Sequence, residues 1–239
     1  MNDFLSRAEG WAGGVLEMIA LGGPVVALLI AMSILALTIV LLKLWQFSAM
    51  RVGDRRTATS ALKVYRAGSA GDAAAIAGKS RNPVAQVLAR AIRGKHRMDL
   101  ADELVREEVL RYGADQLETL RSHFRPLEVI ASLAPLLGLF GTVLGMIEAF
   151  RDLEAAGSQV NPAILSGGIW QALLTTAAGL AVAMPVIVAL NWLERVVDRL
   201  AHDMDNVVTQ VFTMDLSRAP AVQGHELDPD RVEVRPLGE

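Results

Sequence analysis

Ser166–Leu193, SGGIWQALLTTAAGLAVAMPVIVALNWL, contains no Asp, Glu, Lys, Arg or His. About 20 apolar residues, each rising about 1.5 Å in a helix, suffice to cross a bilayer, so this stretch is long enough to span one. Its composition is not that of a simple anchor. Gly167, Gly168, Ala172, Thr175, Thr176, Gly179 and Ala181 make it rich in small residues, with Gln171 and Pro185 inside. Small residues let helix backbones approach closely in lipid, and hydroxyls or amides can bond across helices. The stretch is built to sit among other helices.

Two further stretches are long and uncharged enough to span, the first of them bulky and lipid-facing in character. Between Glu17 and Lys43 there is no charge, and bulky aliphatic residues dominate from Val25 to Leu42. Gly22, Gly23 and Pro24 break the chain just before them, so a regular helix is expected to start near Pro24, which suits a first helical turn. From Val129 to Ile147 the chain is again uncharged, bounded by Glu128 and Glu148. Here Ala134, Gly138, Gly141, Thr142 and Gly145 recur three and four residues apart, which places a small face on one side of the helix. Gly138, Gly141 and Gly145 would be costly in a soluble helix, whereas in a membrane bundle they permit tight contact. Gly168, Ala172, Thr176, Gly179 and Ala183 form a second such face, with Gln171 and Thr175 beside it. The fold class is therefore an all-α membrane protein with three transmembrane helices, at 21–48, 127–150 and 165–193.

Charge placement orients the spans. Only Arg7 precedes the first and only Arg151 lies between the second and third, while 49–126 is dense in Arg and Lys, with Arg51, Arg55, Arg56, Arg121 and Arg125 close to span ends. Cationic loops stay in the cytoplasm, so 49–126 is expected there, with the N-terminus outside and the C-terminus inside. Residues 1–20 have the spacing of a weakly amphipathic helix with Trp11 as an interfacial anchor, or of a leader without a role. Residues 151–164 then form a periplasmic loop.

Within 49–126, Arg55–Ala77 is helix-permissive, Gly78–Asn82 reads as a turn, and Pro83–Arg93 as a short helix opening on its proline. Asp99 is placed to cap a helix in which Leu100, Leu104, Val105 or Val109, Leu117 and Leu120 recur at helical spacing. That helix is expected to run into the second span, with Pro126 and Pro135 bending it. Residues 194–216 continue the third span as a cytoplasmic extension, and 217–239, with its prolines and glycines, reads as a disordered tail.

Function classes narrow in the same way. The chain has no cysteine and a net charge of −3. Thiolate chemistry and Cys-based metal sites are excluded, and the charge balance speaks against a nucleic-acid partner. No nucleophile–base pair, metal cluster or phosphate loop is visible, so neither an enzyme nor a cofactor is expected. Thr142 lies about 8 residues (~12 Å) from the outer end of span two, and Thr176 about 12 residues (~18 Å) from that of span three, at comparable depth. If both small faces met at one axis in an oligomer, the interior would carry rings of hydroxyls. The alternative is that the threonines bond their own helices and the small residues only pack. A proton relay needs a titratable group at depth, and the last two spans supply none. Any such group must come from another subunit.

LAPLLGLFGTVLGMIEAF (133–150) followed by GGIWQALLTTAAGLAVAMP (167–185) resembles the paired signature of the MotA/TolQ/ExbB proton-channel family. One N-terminal span opening with LGGP, a long cytoplasmic loop and three spans in all look like the ExbB/TolQ branch. The resemblance implies a pentamer around the single transmembrane helices of an ExbD- or TolR-like dimer, which carries the protonatable Asp, and a TonB-like protein as the energised partner. It also implies pore-facing hydroxyls at Thr142 and Thr176, and family prolines at Pro135 and Pro185. A TolQ-like subunit energising Tol-Pal envelope maintenance, and a non-conducting scaffold, are the competing readings. Where GIAEALLAT-type sequences carry Glu, this chain has Gln171, a neutral amide that cannot titrate.

Overall fold

In the computed structural model, residues 2–97, 99–155 and 162–217 are described, with side chains placed for 23–97, 99–155 and 165–213. All of the regular structure among them is helical: α1 (Asn2–Ala49), α2 (Arg55–Arg66), α3 (Ala70–Lys79), α4 (Pro83–Lys95), α5 (Asp102–Arg121), α6 (Phe124–Ala155) and α7 (Pro162–Ser217). Three regions are long and apolar enough to cross a membrane: Gly23–Ala49, Asp102–Ala155 and Leu165–Thr213. In the second, the apolar part belongs to α6. The Trp11 side chain, residues 156–161 of the loop and the tail beyond Ser217 lie outside the described residues.

The breaks fall where backbone chemistry requires them. α1 kinks at Gly23 (φ 65°, ψ −161°), a left-handed conformation that glycine adopts at little cost, and Pro24 opens the regular helix. α2 is capped by Asp54, which accepts from the Thr57 hydroxyl at 2.8 Å, and the α2–α3 turn passes through Gly68 at φ 95°. Asn82 caps α4 by accepting from the Val84 and Ala85 amides at 2.8 and 3.4 Å, with Pro83 just inside. The same Asn82, 1% exposed, donates to the carbonyls of Arg51 (2.8 Å) and Val52 (3.3 Å), fastening the turn after α1 to α4.

Two expectations need correction. Asp99 does not cap α5. Its carboxylate is held by Arg97 at 2.6 Å, and Ala101 occupies the cap without a side-chain bond. Nor does α5 run into the second span. The chain turns at Ser122 and His123 (φ 67°), and α6 starts at Phe124. Breaking there puts Pro126 in the first turn of α6, where a missing N–H leaves no bond unmade. Pro135 and Pro185 remain inside α6 and α7.

α4 is the centre of the α2–α5 bundle, with Val87, Leu88, Ala89, Ala91 and Ile92 all but fully buried. It packs against α5 and against the long second half of α7, whose Val197, Leu200, Val208 and Val211 complete one continuous core. On α5 the buried face is Val105, Val109, Gly113 and Leu120, while Leu100 and Leu104 are exposed. α7 has 56 residues and so rises about 84 Å, far beyond the ~30 Å hydrocarbon layer, which lets one helix serve both regions. Arg55–Asp203 (3.0 Å) and Arg121–Asp198 (2.8 Å) tie α2 and α5 to it. Exposed pairs of this kind contribute about 0.2–1 kcal/mol each.

Candidate functional site: the seam between α6 and α7

α6 and α7 are antiparallel and meet along a line of small residues. Gly138 faces Thr175, Thr176 and Gly179. Gly141 faces Thr175, Gly145 faces Ala172, and Gly168 faces Ala149. A Cβ on Gly179 would sit 2.5 Å from the Ala134 carbonyl oxygen, and one on Gly138 would sit 2.9 Å from that of Thr175. Both obstacles are backbone, so the helices lie as close as glycine allows.

The threonines separate at this seam. Thr175 is 2% exposed, and its hydroxyl donates to the carbonyls of Ala172 (2.7 Å) and Gly138 (3.2 Å). Its neighbour Thr176, half-buried, donates to the same Gly138 carbonyl at 3.2 Å. The small face that α7 turns to the seam is therefore Gly168, half-buried, with the buried Ala172, Thr175, Gly179 and Ala183, and Thr176 stands about 100° round the helix from Thr175, at its edge. Thr142 is also half-buried and donates to Leu139 O at 2.6 Å, as a hydroxyl does when it bonds its own helix. It lies one helical turn from Gly138, close in depth to Thr176.

Helical geometry places the two edge hydroxyls together. α1 joins α6 and α7 through a cluster of Val25, Leu29, Ala134 and Ala183, with Leu137, Ala178 and Val182 packed against it, and further along α1 a groove is lined by Ala36, Val40, Ala181, Val182 and Pro185. Leu137 lies about 140° from Thr142 on α6, and Ala178 and Val182 lie about 160° and 120° from Thr176 on α7. Thr142 and Thr176 thus flank the seam on the side turned away from α1. Gln171 does not join them. It falls on the stripe of Ala178 and Val182, about 140° from Thr176, is half-buried, and makes no hydrogen bond among the described residues. Of the four polar residues singled out in the spans, one lies in the seam, two on one flank and one on the other.

The site's remaining polar anchor is at the inner end. Lys43 is 3% exposed. Its Nζ donates to Gln46 Oε1 (2.9 Å), the Leu120 carbonyl (3.0 Å) and Ser122 Oγ (3.1 Å), and lies 5.6 Å from the Phe124 ring centroid. It clamps α1 to the α5–α6 joint. In the sequence Lys43 only bounds the uncharged stretch that follows Glu17. The signal that could have found it is a lone cation flanked by Leu41, Leu42 and Leu44, which must pair or snorkel. Asn82 was likewise legible in the Asn-Pro pair.

The seam carries no acid or base of its own: 129–147 and 155–193 contain no titratable side chain. Chemically it offers hydroxyls and one amide on close-packed backbone, a lining that can hydrogen-bond water or a protonated group but cannot itself hold a proton.

Comparison with known proteins agrees with this composition. Biopolymer transport protein exbB1 of Vibrio cholerae is 37% identical over 97 residues, covering 39% of this chain and 42% of that protein. A putative biopolymer transport protein ExbB homolog of Methanothermobacter thermautotrophicus is 28% identical over 207 residues, covering 85% of this chain and 70% of that one. The Tol-Pal system protein TolQ of Haemophilus influenzae is 35% identical over 99 residues, covering 41% and 43%. The matches to the Vibrio and Haemophilus proteins thus span less than half the length of those relatives. Residues 79–206, more than half of the chain and including the whole seam, match the family described as the MotA/TolQ/ExbB proton channel family. The chain belongs to the MotA/TolQ/ExbB proton channel family.

Proposed function

We propose that the chain is the channel-forming scaffold subunit of a proton-driven energiser in the bacterial inner membrane, with its N-terminus periplasmic and α2–α5 cytoplasmic. Five copies surround the single-span helices of an ExbD- or TolR-like dimer and transmit work to a TonB-like protein. The role is mechanical and conductive, not enzymatic. The observation that carries this reading is the pairing of edge hydroxyls at Thr142 and Thr176 with stretches of α6 and α7, 129–147 and 165–193, that hold no titratable group. Such a wall needs a carboxylate from another chain before protons can be handled. The names of the relatives support an ExbB-type role, and the Haemophilus match gives the Tol-Pal alternative its own footing.

The test separates lining from packing. Thr142→Val and Thr176→Val should assemble normally yet lose proton-driven activity in a complex reconstituted with a one-span, Asp-bearing partner. Thr175→Val should instead lower thermal stability, because its hydroxyl is buried in the seam and bonds both Ala172 O and Gly138 O, whereas that of Thr176 sits at the half-buried edge. Gln171→Ala should be milder than loss of the partner's Asp. Wild-type proton flux in both edge variants would sink the assignment.

A further inference from the structure

A groove of about 560 Å³ lies between α4 and α5, away from the membrane part. Its floor is Val105 and Val109, and Arg90, Arg93 and Arg97 line one wall at three- and four-residue spacing. Leu104, 59% exposed, and Leu100, 41% exposed, form the opposite lip. The Arg90 guanidinium lies 3.7 Å over the Tyr112 ring, and neither it nor Arg93 has an ion-pair partner among the described residues. Arg97 pairs with Asp99, and the one acid in the lining, Glu108, is held by Arg111 at 2.8 Å. The groove therefore sets three guanidinium groups against one lining acid, Glu108, on which both Arg111 and Arg90 act, beside exposed leucine, a surface complementary to an acidic, apolar segment.

The chain carries such a segment. Residues 225–234, HELDPDRVEV, interleave Glu226, Asp228, Asp230 and Glu233 with Leu227, Val232 and Val234. The end of α7 delivers it to the right place. Lys95 Nζ donates to the Val211 carbonyl at 3.0 Å and lies 5.8 Å from the Phe212 ring, and Lys95 sits between Arg93 and Arg97 in sequence. From Val211 the helix continues to Ser217, about 9 Å further. The nine residues from there to Glu226 reach about 30 Å when extended, enough to pass round α4, a helix about 10 Å across.

We propose that residues 225–234 dock in the α4–α5 groove of their own chain, with the acidic side chains against Arg90 and Arg93 and Leu227 over Leu104. The contact is independent of the channel reading, since it needs neither the partner dimer nor proton flux.

The chain has no cysteine, so an engineered pair reports one contact. In the full-length protein in membranes, Leu104→Cys with Leu227→Cys should form an intrachain disulfide under mild oxidation. It should form faster than Ser60→Cys with Leu227→Cys. Ser60 is exposed on α2, the helix whose Arg66 bonds Gln210 near the end of α7, on a surface outside the groove. Adding Arg90→Glu and Arg93→Glu should slow the first pair about threefold or more, the weight of a few exposed charge pairs. Further adding Glu226→Arg and Asp228→Arg should restore the rate, which shows that the reversed groove still folds. Equal rates for the two cysteine pairs, insensitivity to charge reversal, or linkage only between chains would overturn the proposal.

Discussion

Where α6 meets α7, the contact surface is Gly138, Gly141, Gly145, Ala172, Thr175 and Gly179, and at Gly138 and Gly179 the nearest atoms across it are backbone. Where α4 meets α5 and α7, it is Val87, Leu88, Ile92, Val105, Val208 and Val211, and the nearest atoms are side chains. The solvents explain the difference. In water, burying apolar surface stabilises by about 25 cal/mol per Å², so bulky residues close the α2–α5 bundle. In lipid that gain is absent, because the tails are as apolar as leucine. Helices then associate through close packing and bonds such as Thr175 to Gly138 O, each averaging about 0.6 kcal/mol. One helix, α7, changes method along its length, from glycine and threonine at 168–179 to valine and leucine at 197–211.

If that contrast is right, the largest effect comes from adding bulk to the seam. Gly179→Leu has no accommodating rotamer, because the first atom added meets the Ala134 carbonyl oxygen at 2.5 Å and Gly138 Cα at 3.1 Å. Size-exclusion chromatography in detergent should show loss of the folded, assembled protein. Gly167→Leu, at a position with nothing within 4 Å, should keep the chain folded. Similar behaviour of the two variants would break the comparison.

Span positions and the small faces were legible in the sequence because lipid imposes long uncharged runs and glycine has few other reasons to recur every turn. What the sequence left open was rotation. Thr175 and Thr176 are adjacent, and composition alone cannot say which one points into the seam. The choice depends on how α6 is rotated against α7, a property of the pair. Gln171 shows the same ambiguity: it sits near Thr176 in sequence and about 140° away on the helix. Asp99 failed as a cap for a different reason. A carboxylate beside an arginine two residues away has a competing partner, and Arg97 won. Lys43 and Asn82 carry local signals, but their partners lie about 30 to 80 residues away, and no local pattern reveals those.

A middle tier of effects tests the water-facing side of the contrast. Leu88→Ala removes a fully buried side chain from the centre of the bundle and should cost about 2–5 kcal/mol, read as a lowered melting temperature in detergent. Lys43→Met keeps the length of the side chain but strips three hydrogen bonds, leaving the Leu120 carbonyl and Ser122 hydroxyl without their donor. A cost of about 1–3 kcal/mol is expected, with faster amide exchange around the α5–α6 joint. A Lys43→Met variant as stable as the parent would show that α1 is held by its apolar contacts alone.

The smallest effect sharpens the comparison at the rim of the bundle, where charge works in open water. The Thr57 hydroxyl holds the Asp54 carboxyl below its ordinary value of 3.8. Desolvation opposes it, and the backbone amides of Thr57 and Arg56 and the charge of Arg51 add smaller lowering contributions. A carboxylate whose folded pKa is depressed contributes stability that is complete above its unfolded pKa and lost as pH falls through the folded one. The cap on α2 should therefore be at full strength at about pH 6 and weaken only beneath the ordinary carboxylate range, near about pH 4. Amide-exchange protection in the first turn of α2, measured across that window, should fall with acid in the parent protein. In Asp54→Ala it should be low throughout and flat, and a persisting acid dependence there would assign the titration to another group.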